Sequence, residues 1–301
     1  MKELFMECLT SVTLTQYPNF ELILVDNGSI DGSAEFVKKN YGLKIKVLEN
    51  KKNLGFSEGF NSGIRISRGK YIALLSNDMT VGPNWLEPII ELMETQPNVG
   101  LAGFKRLLYK KSNILDGIGG NLYLCGRVKI IGFLEIDKGQ YDSYRDDIDY
   151  IGGAMVLRKK VIDEIGAFDP DYIIFSEDCD LCFKIRRQGY KTVYVPKAVI
   201  WHKGQGTLFS MDPKRLYLMY MSERSRIRFG IIHFVKKRFL AMLIIDLSWL
   251  LSTSGEGKKA LIKAYVWNLR NIGITLKRRK VYGPSPPYGC KAPIIPFKFL
   301  R

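Results

Sequence analysis

The chain has 301 residues, 46% hydrophobic and 12% aromatic, enough to bury a full core and too apolar for a disordered polymer. Its net charge is +16, and the segment from Lys203 to Arg301 holds 20 Lys and Arg against 4 acids, so a neutral region is followed by a strongly basic one. Cys8, Cys125, Cys179, Cys182 and Cys290 are an odd set without framework spacing or a leader pattern ahead of them, which argues against a disulfide scaffold and leads us to expect a reduced, cytoplasmic compartment.

Phe5, Cys8, Leu9 and Val12 recur at helical spacing and predict a helix over Leu4 to Val12, ended at Tyr17-Pro18. Glu21 to Val25 reads as a buried strand, followed by the polar turn Asp26-Asn27-Gly28-Ser29 and a helix with Asp31 or Ser33 as its cap. A strand over Lys44 to Leu48 follows. Gly55, Gly59 and Gly63 would each weaken a helix by about 1 kcal/mol, so that segment needs a close neighbour, either a bound diphosphate or a packed strand.

Tyr71 to Leu75 is an apolar strand that ends in Ser76-Asn77-Asp78. In an open α/β sheet, ligands sit outside the carboxyl ends of strands, which places Asp78 where a phosphate-bound metal would lie. A helix is expected over Pro83 to Thr95. Residues 104 to 149 are less regular, with hairpin turns at Gly119-Gly120-Asn121 and Cys125-Gly126-Arg127. Gly152-Gly153 inside an expected strand from Tyr150 to Leu157 mark a bulge or a ligand's close approach. Ser176 reads as a cap and Gly189 as a stop for a helix whose inward stripe is Leu181, Cys182 and Ile185. Asp178 shares that stripe, facing a cleft from the first turn, whereas Asp180, Lys184 and Arg187 fall on the outer side. Thr192 to Val195 and Ala198 to His202 read as two short strands.

The alternation predicts a mixed, mainly parallel α/β sheet flanked by helices over residues 1–207, and a basic helical region over 208–301. The apolar run from Phe239 to Leu251, broken by Asp246, is too short to span a bilayer. Its neighbours Lys236-Lys237-Arg238 suit an anionic membrane surface. No nucleic-acid module is recognisable in the basic region, so a nucleic-acid partner is not expected.

Together these residues resemble the family 2 glycosyltransferases of GT-A fold, especially the rhamnosyltransferase-like ones, over roughly residues 4 to 230. The resemblance rests on Leu4, Cys8, Leu9, Ser11 and Gln16-Tyr17-Pro18; on Val25-Asp26-Asn27-Gly28-Ser29 with Asp31-Gly32-Ser33; and on Asn53-x-Gly55-Phe56 with Asn61-x-Gly63. Ser76-Asn77-Asp78, Gly152-Gly153, Glu177-Asp178-x-Asp180 and Trp201-His202 complete it. It implies a nucleotide and donor-sugar site formed by Asp26, Asn27, Gly28, Asn53, Gly55, Asn61, Asn77, Gly152, Gly153 and Glu177. It further implies Asp178 as general base and Asp78 with His202 as ligands of Mg²⁺ or Mn²⁺, Ser76 standing where a first acid would be.

The implied reaction is inverting transfer of one sugar from a nucleotide-diphosphate sugar to a hydroxyl of a glycan or lipid-linked acceptor, on the inner face of the plasma membrane. Family members carry a buried strand ahead of the helix that opens this chain. The resemblance therefore implies an N-terminally truncated catalytic region, or a catalytically degraded nucleotide-sugar-binding or scaffold protein of the same fold.

Overall fold

A computed structural model describes residues 2–109, 111–146, 148–203, 215–252 and 254–282. The expected boundary at 207/208 lies outside these residues. Helix α1 (Lys2–Thr13) buries Phe5, Cys8, Leu9 and Val12, the four residues its periodicity selects. Strand β1 (Leu22–Asp26), helix α2 (Ser33–Tyr41) and strand β2 (Ile45–Glu49) follow, then α3 (Gly55–Ile66), β3 (Tyr71–Leu75), β4 (Met79–Val81) and α4 (Glu87–Thr95). Strands β5 (Val99–Leu108), β6 (Lys111–Gly117), β7 (Gly120–Leu122), β8 (Val128–Ile130) and β9 (Ala154–Arg158) lead to α5 (Lys159–Ile165), α6 (Glu177–Arg187) and β10 (Lys191–His202). Four helices close the described chain: α7 (Arg215–His233), α8 (Lys236–Ser252), α9 (Glu256–Arg270) and α10 (Ile272–Tyr282).

The central sheet has the order β3-β9-β5-β10-β4, with β6 added to β5. It is mixed, as expected, but most hydrogen-bonded neighbours are antiparallel. Strands β3, β5 and β10 run one way, while β9 lies between β3 and β5 and β4 lies beside β10, both reversed. A parallel ladder joins β1 to β2 in a sheet of their own. Among the described residues β1 and β3, like β2 and β4, each pair along one edge only.

Several local expectations are corrected. The helix expected over Pro83 to Thr95 begins at Glu87 as α4, and residues 79–81 form a strand that pairs with β10. The long strand β5, buried along nearly its whole length, was hidden by its two glycines and by Lys105-Arg106 in its middle. Two expected short strands are one, β10, with an irregularity between Val195 and Val199. Gly152 and Gly153 precede β9 rather than interrupt it. In α3 the close neighbours are protein groups. A Cβ at Gly59 would lie 3.0 Å from the Asn27 amide nitrogen, and one at Gly63 2.8 Å from Val25.

The largest correction concerns α6. Its supposed outer side is buried: Asp180 is 0% and Lys184 2% exposed. Helix α7 packs there, and His233 Nε2 lies 2.7 Å from Asp180 Oδ1. The excess of basic residues is therefore partly internal. Arg226 is bonded to Glu223 and Asp246 at 2.7 Å each, and Arg228 to Asp169 and Asp171 at 3.0 and 2.7 Å. Asp246, the interruption in the apolar run, is the buried anion that holds α8 to α7. Among the described residues no helix is long and apolar enough to cross a membrane.

Candidate active site

Topology brings the acidic turn and the histidine together. Because β4 pairs antiparallel with β10, Met79 lies opposite His202, so Asp78, one residue before Met79, falls beside the end of β10. The Lys203 amide donates to the Asp78 carbonyl at 3.0 Å, closing the corner. His202 Nε2 then stands 3.2 Å from Asp78 Oδ2, and its Nδ1 3.1 Å from Asp116 Oδ2. Asp116, on β6, is also ion-paired with Arg106 Nε at 3.1 Å, and Arg106 donates from Nη1 to the Gly152 carbonyl.

The antiparallel course of β9 delivers the third carboxylate. Leu75, the last residue of β3, pairs with Ala154, the first of β9, so Gly153 meets the turn that carries Asp78. Ser76 Oγ donates to the Gly153 carbonyl at 3.2 Å, and the Gly153 amide donates to Asp178 Oδ2 at 3.2 Å. Gly153 has φ +79, and a Cβ on Gly152 would run into the Tyr150 hydroxyl and the Asp178 carboxylate. Only glycine permits both approaches.

Ser176 occupies the N-cap position of α6 but makes no side-chain cap bond. It and Phe175 both lie in the left-handed region, with φ 64 and 68. Consecutive non-glycine residues there store roughly 1–2 kcal/mol each, directly before Glu177, the first residue of α6.

Electrostatics separate the acidic groups. Burial pushes Asp178 up to about 7, partly opposed by the Gly153 amide and Arg106. Glu177 is driven well above the ordinary carboxylate range, first by burial and then by the Asp178 charge. For His202, burial disfavours the imidazolium, but hydrogen bonds to Asp116 and Asp78 outweigh it and lift the ring to about 9. Asp116 is likewise opposed by burial, yet His202 and Arg106 hold it below the usual value. With a carboxylate facing each nitrogen, His202 is an imidazolium donating in both directions.

The donor set suits a hard divalent cation shared with a phosphate. Asp78 Oδ1 is buried without a hydrogen-bond partner. Asp116 fixes Nδ1 of His202 and leaves Nε2 on the Asp78 side, the arrangement by which an outer carboxylate orients a ligating histidine. Among the described residues no three His, Cys, Asp or Glu form a closed cage. Asp78 and His202 could supply two ligands, which would leave the rest to phosphate oxygens and water, as is usual for Mg²⁺.

Several of the other candidates bond to the protein itself. Asp26 Oδ1 accepts from the Ser29 amide at 3.1 Å and is half-buried at its strand end. The Asn27 amide group donates to Asn53 Oδ1 and the Gly55 carbonyl, and its Oδ1 accepts from Leu54 and Asn50, so it staples the turn to α3. Gly28 has φ +79 against the backbone of Lys52 and Asn53, and Gly55 has φ +84 against Ile173. Asn61 is buried and exchanges hydrogen bonds with the Phe168 backbone. Asn77 is exposed at the tip of the Asp78 turn. Glu177 is buried with Oε2 unpartnered.

Sequence reasoning missed Asp116, Arg106 and Tyr150. The available signal was Lys105-Arg106 in the middle of an otherwise apolar run, a pattern that calls for buried partners.

The family model described as "Glycosyl transferase family 2" matches residues 2–166, from α1 past Gly153 and short of Asp178. The poly-beta-1,6-N-acetyl-D-glucosamine synthase of Staphylococcus epidermidis is 29% identical over 203 residues, covering 66% of this chain. The chain spans only 46% of that relative's length. Among solved structures, GalNAc-T7 with UDP, GalNAc and Mn²⁺ aligns over 94% of this chain and 56% of its own, with a TM-score of 0.62 at 16% identity. The mannosyltransferase PcManGT from Pyrobaculum calidifontis, in complex with GDP-Man and Mn²⁺, aligns over 96% of this chain and 74% of its own, with a TM-score of 0.55 at 14% identity. These likenesses identify the fold as GT-A. With the family model matched over more than half of its residues, the chain belongs to glycosyl transferase family 2.

Proposed function

We propose that the chain moves a single sugar from a nucleotide-diphosphate donor to a hydroxyl of a glycan or lipid-linked acceptor, with inversion, Asp178 being the general base. The observation that carries this reading is the path Ser76–Gly153–Asp178, two hydrogen bonds of 3.2 Å that join the base to the turn holding Asp78. A buried carboxyl near 7 is half ionised at neutral pH and can take the acceptor's proton as the hydroxyl attacks, an effect typically worth 10²- to 10⁴-fold. One base without a second nucleophile favours direct displacement.

Asp78 and His202 would hold Mg²⁺ or Mn²⁺, which when bound neutralises charge growing on the leaving diphosphate. Gly152 and Gly153 let the Asp178 carboxylate approach the Asp78 turn at the reacting end, and the Asp26 turn would supply the nucleotide side. Manganese in two structures of this fold supports the cation assignment, and the polymer-forming relative supports a role in cell-envelope polysaccharide synthesis. Exposed apolar residues Leu240, Ile244 and Leu247 on one face of α8, next to Lys236 and Lys237, support peripheral attachment to the anionic inner face of the plasma membrane.

The test is donor turnover with Mn²⁺ in wild type and Asp178→Ala. Loss of about two or more orders of magnitude in kcat with donor affinity retained is expected, and equal turnover removes Asp178 from the mechanism. A second reading, a donor-binding protein without catalysis, is favoured by Asp78 being the one acid in its turn and by the separation of the β1–β2 ladder from the main sheet. Donor binding without turnover in wild type would establish it.

A further inference from the structure

The four C-terminal helices border a half-open pocket of about 450 Å³, apart from the Asp78–His202 centre. Its walls come from Ile227 and Ile231 on α7, Phe239 and Leu243 on α8, Leu269 on α9 and Leu276 on α10. That volume lies within the range of ligand sites, about 300–1,000 Å³. The lining is almost wholly apolar. Asn268, 2% exposed, gives its amide hydrogens to the carbonyls of Arg224 and Ala264 and keeps only Oδ1 unpartnered, while the Tyr265 hydroxyl is bound to Asp246. A polar metabolite would leave most of its own groups unpaired there, whereas a hydrocarbon chain requires no partners.

The cavity is continuous with an apolar exterior. Leu269 and Leu276 line it and are themselves 68% and 43% exposed. On the adjoining helix, Leu240, Ile244, Leu247 and Leu251 follow one another on one face, each more than half exposed. Its charged lining is basic. Lys236, exposed and without an ion pair among the described residues, and Arg279, which caps the carbonyl end of α7, both line it. Lys277 and Lys280 extend the same sign along α10. Apolar walls with a cationic margin complement an amphiphile that has one anionic head.

We propose that this cavity binds one acyl chain of an anionic glycerophospholipid drawn from the bilayer, with the phosphate held by Lys236 and Arg279. The site rests on the reading that α8 lies on a membrane, and it gives that attachment lipid selectivity.

The test uses detergent-free full-length protein mixed with vesicles of phosphatidylcholine, alone or with phosphatidylglycerol. Sedimentation measures attachment to vesicles, and native mass spectrometry after gel filtration counts retained lipid. Wild type is expected to retain one phosphatidylglycerol per chain. Leu243→Trp, which fills the cavity, should lower retention by about tenfold or more while the protein still sediments with anionic vesicles. Lys236→Ala should retain the fold and lose the preference for phosphatidylglycerol over phosphatidylcholine. Wild type that sediments but carries no lipid, or Leu243→Trp that carries as much as wild type, overturns the proposal and leaves the membrane reading standing. Retained lipid without sedimentation removes the membrane reading and leaves the cavity assignment. If circular dichroism shows Leu243→Trp unfolded, Leu276→Phe is judged by the same criteria.

Discussion

Asp116 Oδ2 lies 3.1 Å from Nδ1 of His202, 86 residues away, and this bond leaves Nε2 as the ring nitrogen that faces Asp78. Asp116→Asn offers Nδ1 a weaker, uncharged partner and frees Arg106. Mn²⁺ affinity, read by titration calorimetry, is expected to fall by about 10- to 100-fold with little change in the circular dichroism spectrum. Unchanged affinity would show that Asp116 only neutralises Arg106.

His202 carries a proton up to about 9 because two carboxylates outweigh its burial. A cation that takes Nε2 must displace that proton. Mn²⁺ affinity should therefore climb about tenfold per pH unit below that value and level off above it. Calorimetric heats should vary with the ionisation enthalpy of the buffer at neutral pH. A pH-independent dissociation constant excludes His202 as a ligand.

For Asp178 the sign runs the other way from that of an ordinary ion-paired carboxylate. Its folded value of about 7 exceeds its ordinary 3.8, so the folded state holds the proton more tightly. This contribution is fully present below about 4 and is lost as pH rises towards 7, amounting to about 4 kcal/mol at most. Asp178→Asn should melt several degrees higher than wild type at alkaline pH and nearly with it at acidic pH. Turnover of wild type should rise about tenfold per unit up to about 7 and then plateau, while the variant stays inactive at every pH. A variant less stable than wild type at high pH would refute the burial argument.

Gly152→Ala places a methyl group against the Tyr150 hydroxyl and the Asp178 carboxylate. Asp178 is buried and Tyr150 half-buried against the core, so neither can yield freely, and a loss of about 1–3 kcal/mol is expected in urea denaturation. Donor turnover should fall further than stability does, because the displaced group is the base.

Ser176→Gly relieves a left-handed residue immediately before α6. Stability should rise by about 1 kcal/mol, read as a higher urea midpoint. If the strain fixes the direction of Asp178, kcat should drop while KM for the donor stays constant; an unchanged kcat would make the strain incidental.

The closeness of Asp78 and His202 follows from their places at strand ends, where the pairing of β4 with β10 brings them together, whereas Asp178 reaches the same turn from helix α6 through the Gly153 amide. Asp116 and Arg106 were not legible in the sequence, since both lie inside strands and their meaning depends on a pairing of β5 with β6 that neither segment announces. The outer face of α6 failed for a different reason. Periodicity sorts a helix into two sides but cannot say that a second helix covers the polar one, and Asp180 became internal only because α7 brings His233 to it. Asn27 and Asn61 sit in the expected motifs, yet their amides bind the protein itself. A motif fixes position more securely than role.

The free margins of Leu22–Asp26 and Tyr71–Leu75 have a practical consequence for anyone handling this polypeptide. Among the described residues neither strand pairs along that edge, and in the first the side chains are Leu, Ile, Leu and Val, all half-buried. An unpaired strand edge is a template on which an extended segment of another molecule can add. Self-association of concentrated samples is therefore expected to track these five residues and to outlast the mutual repulsion of molecules that each carry sixteen surplus positive charges.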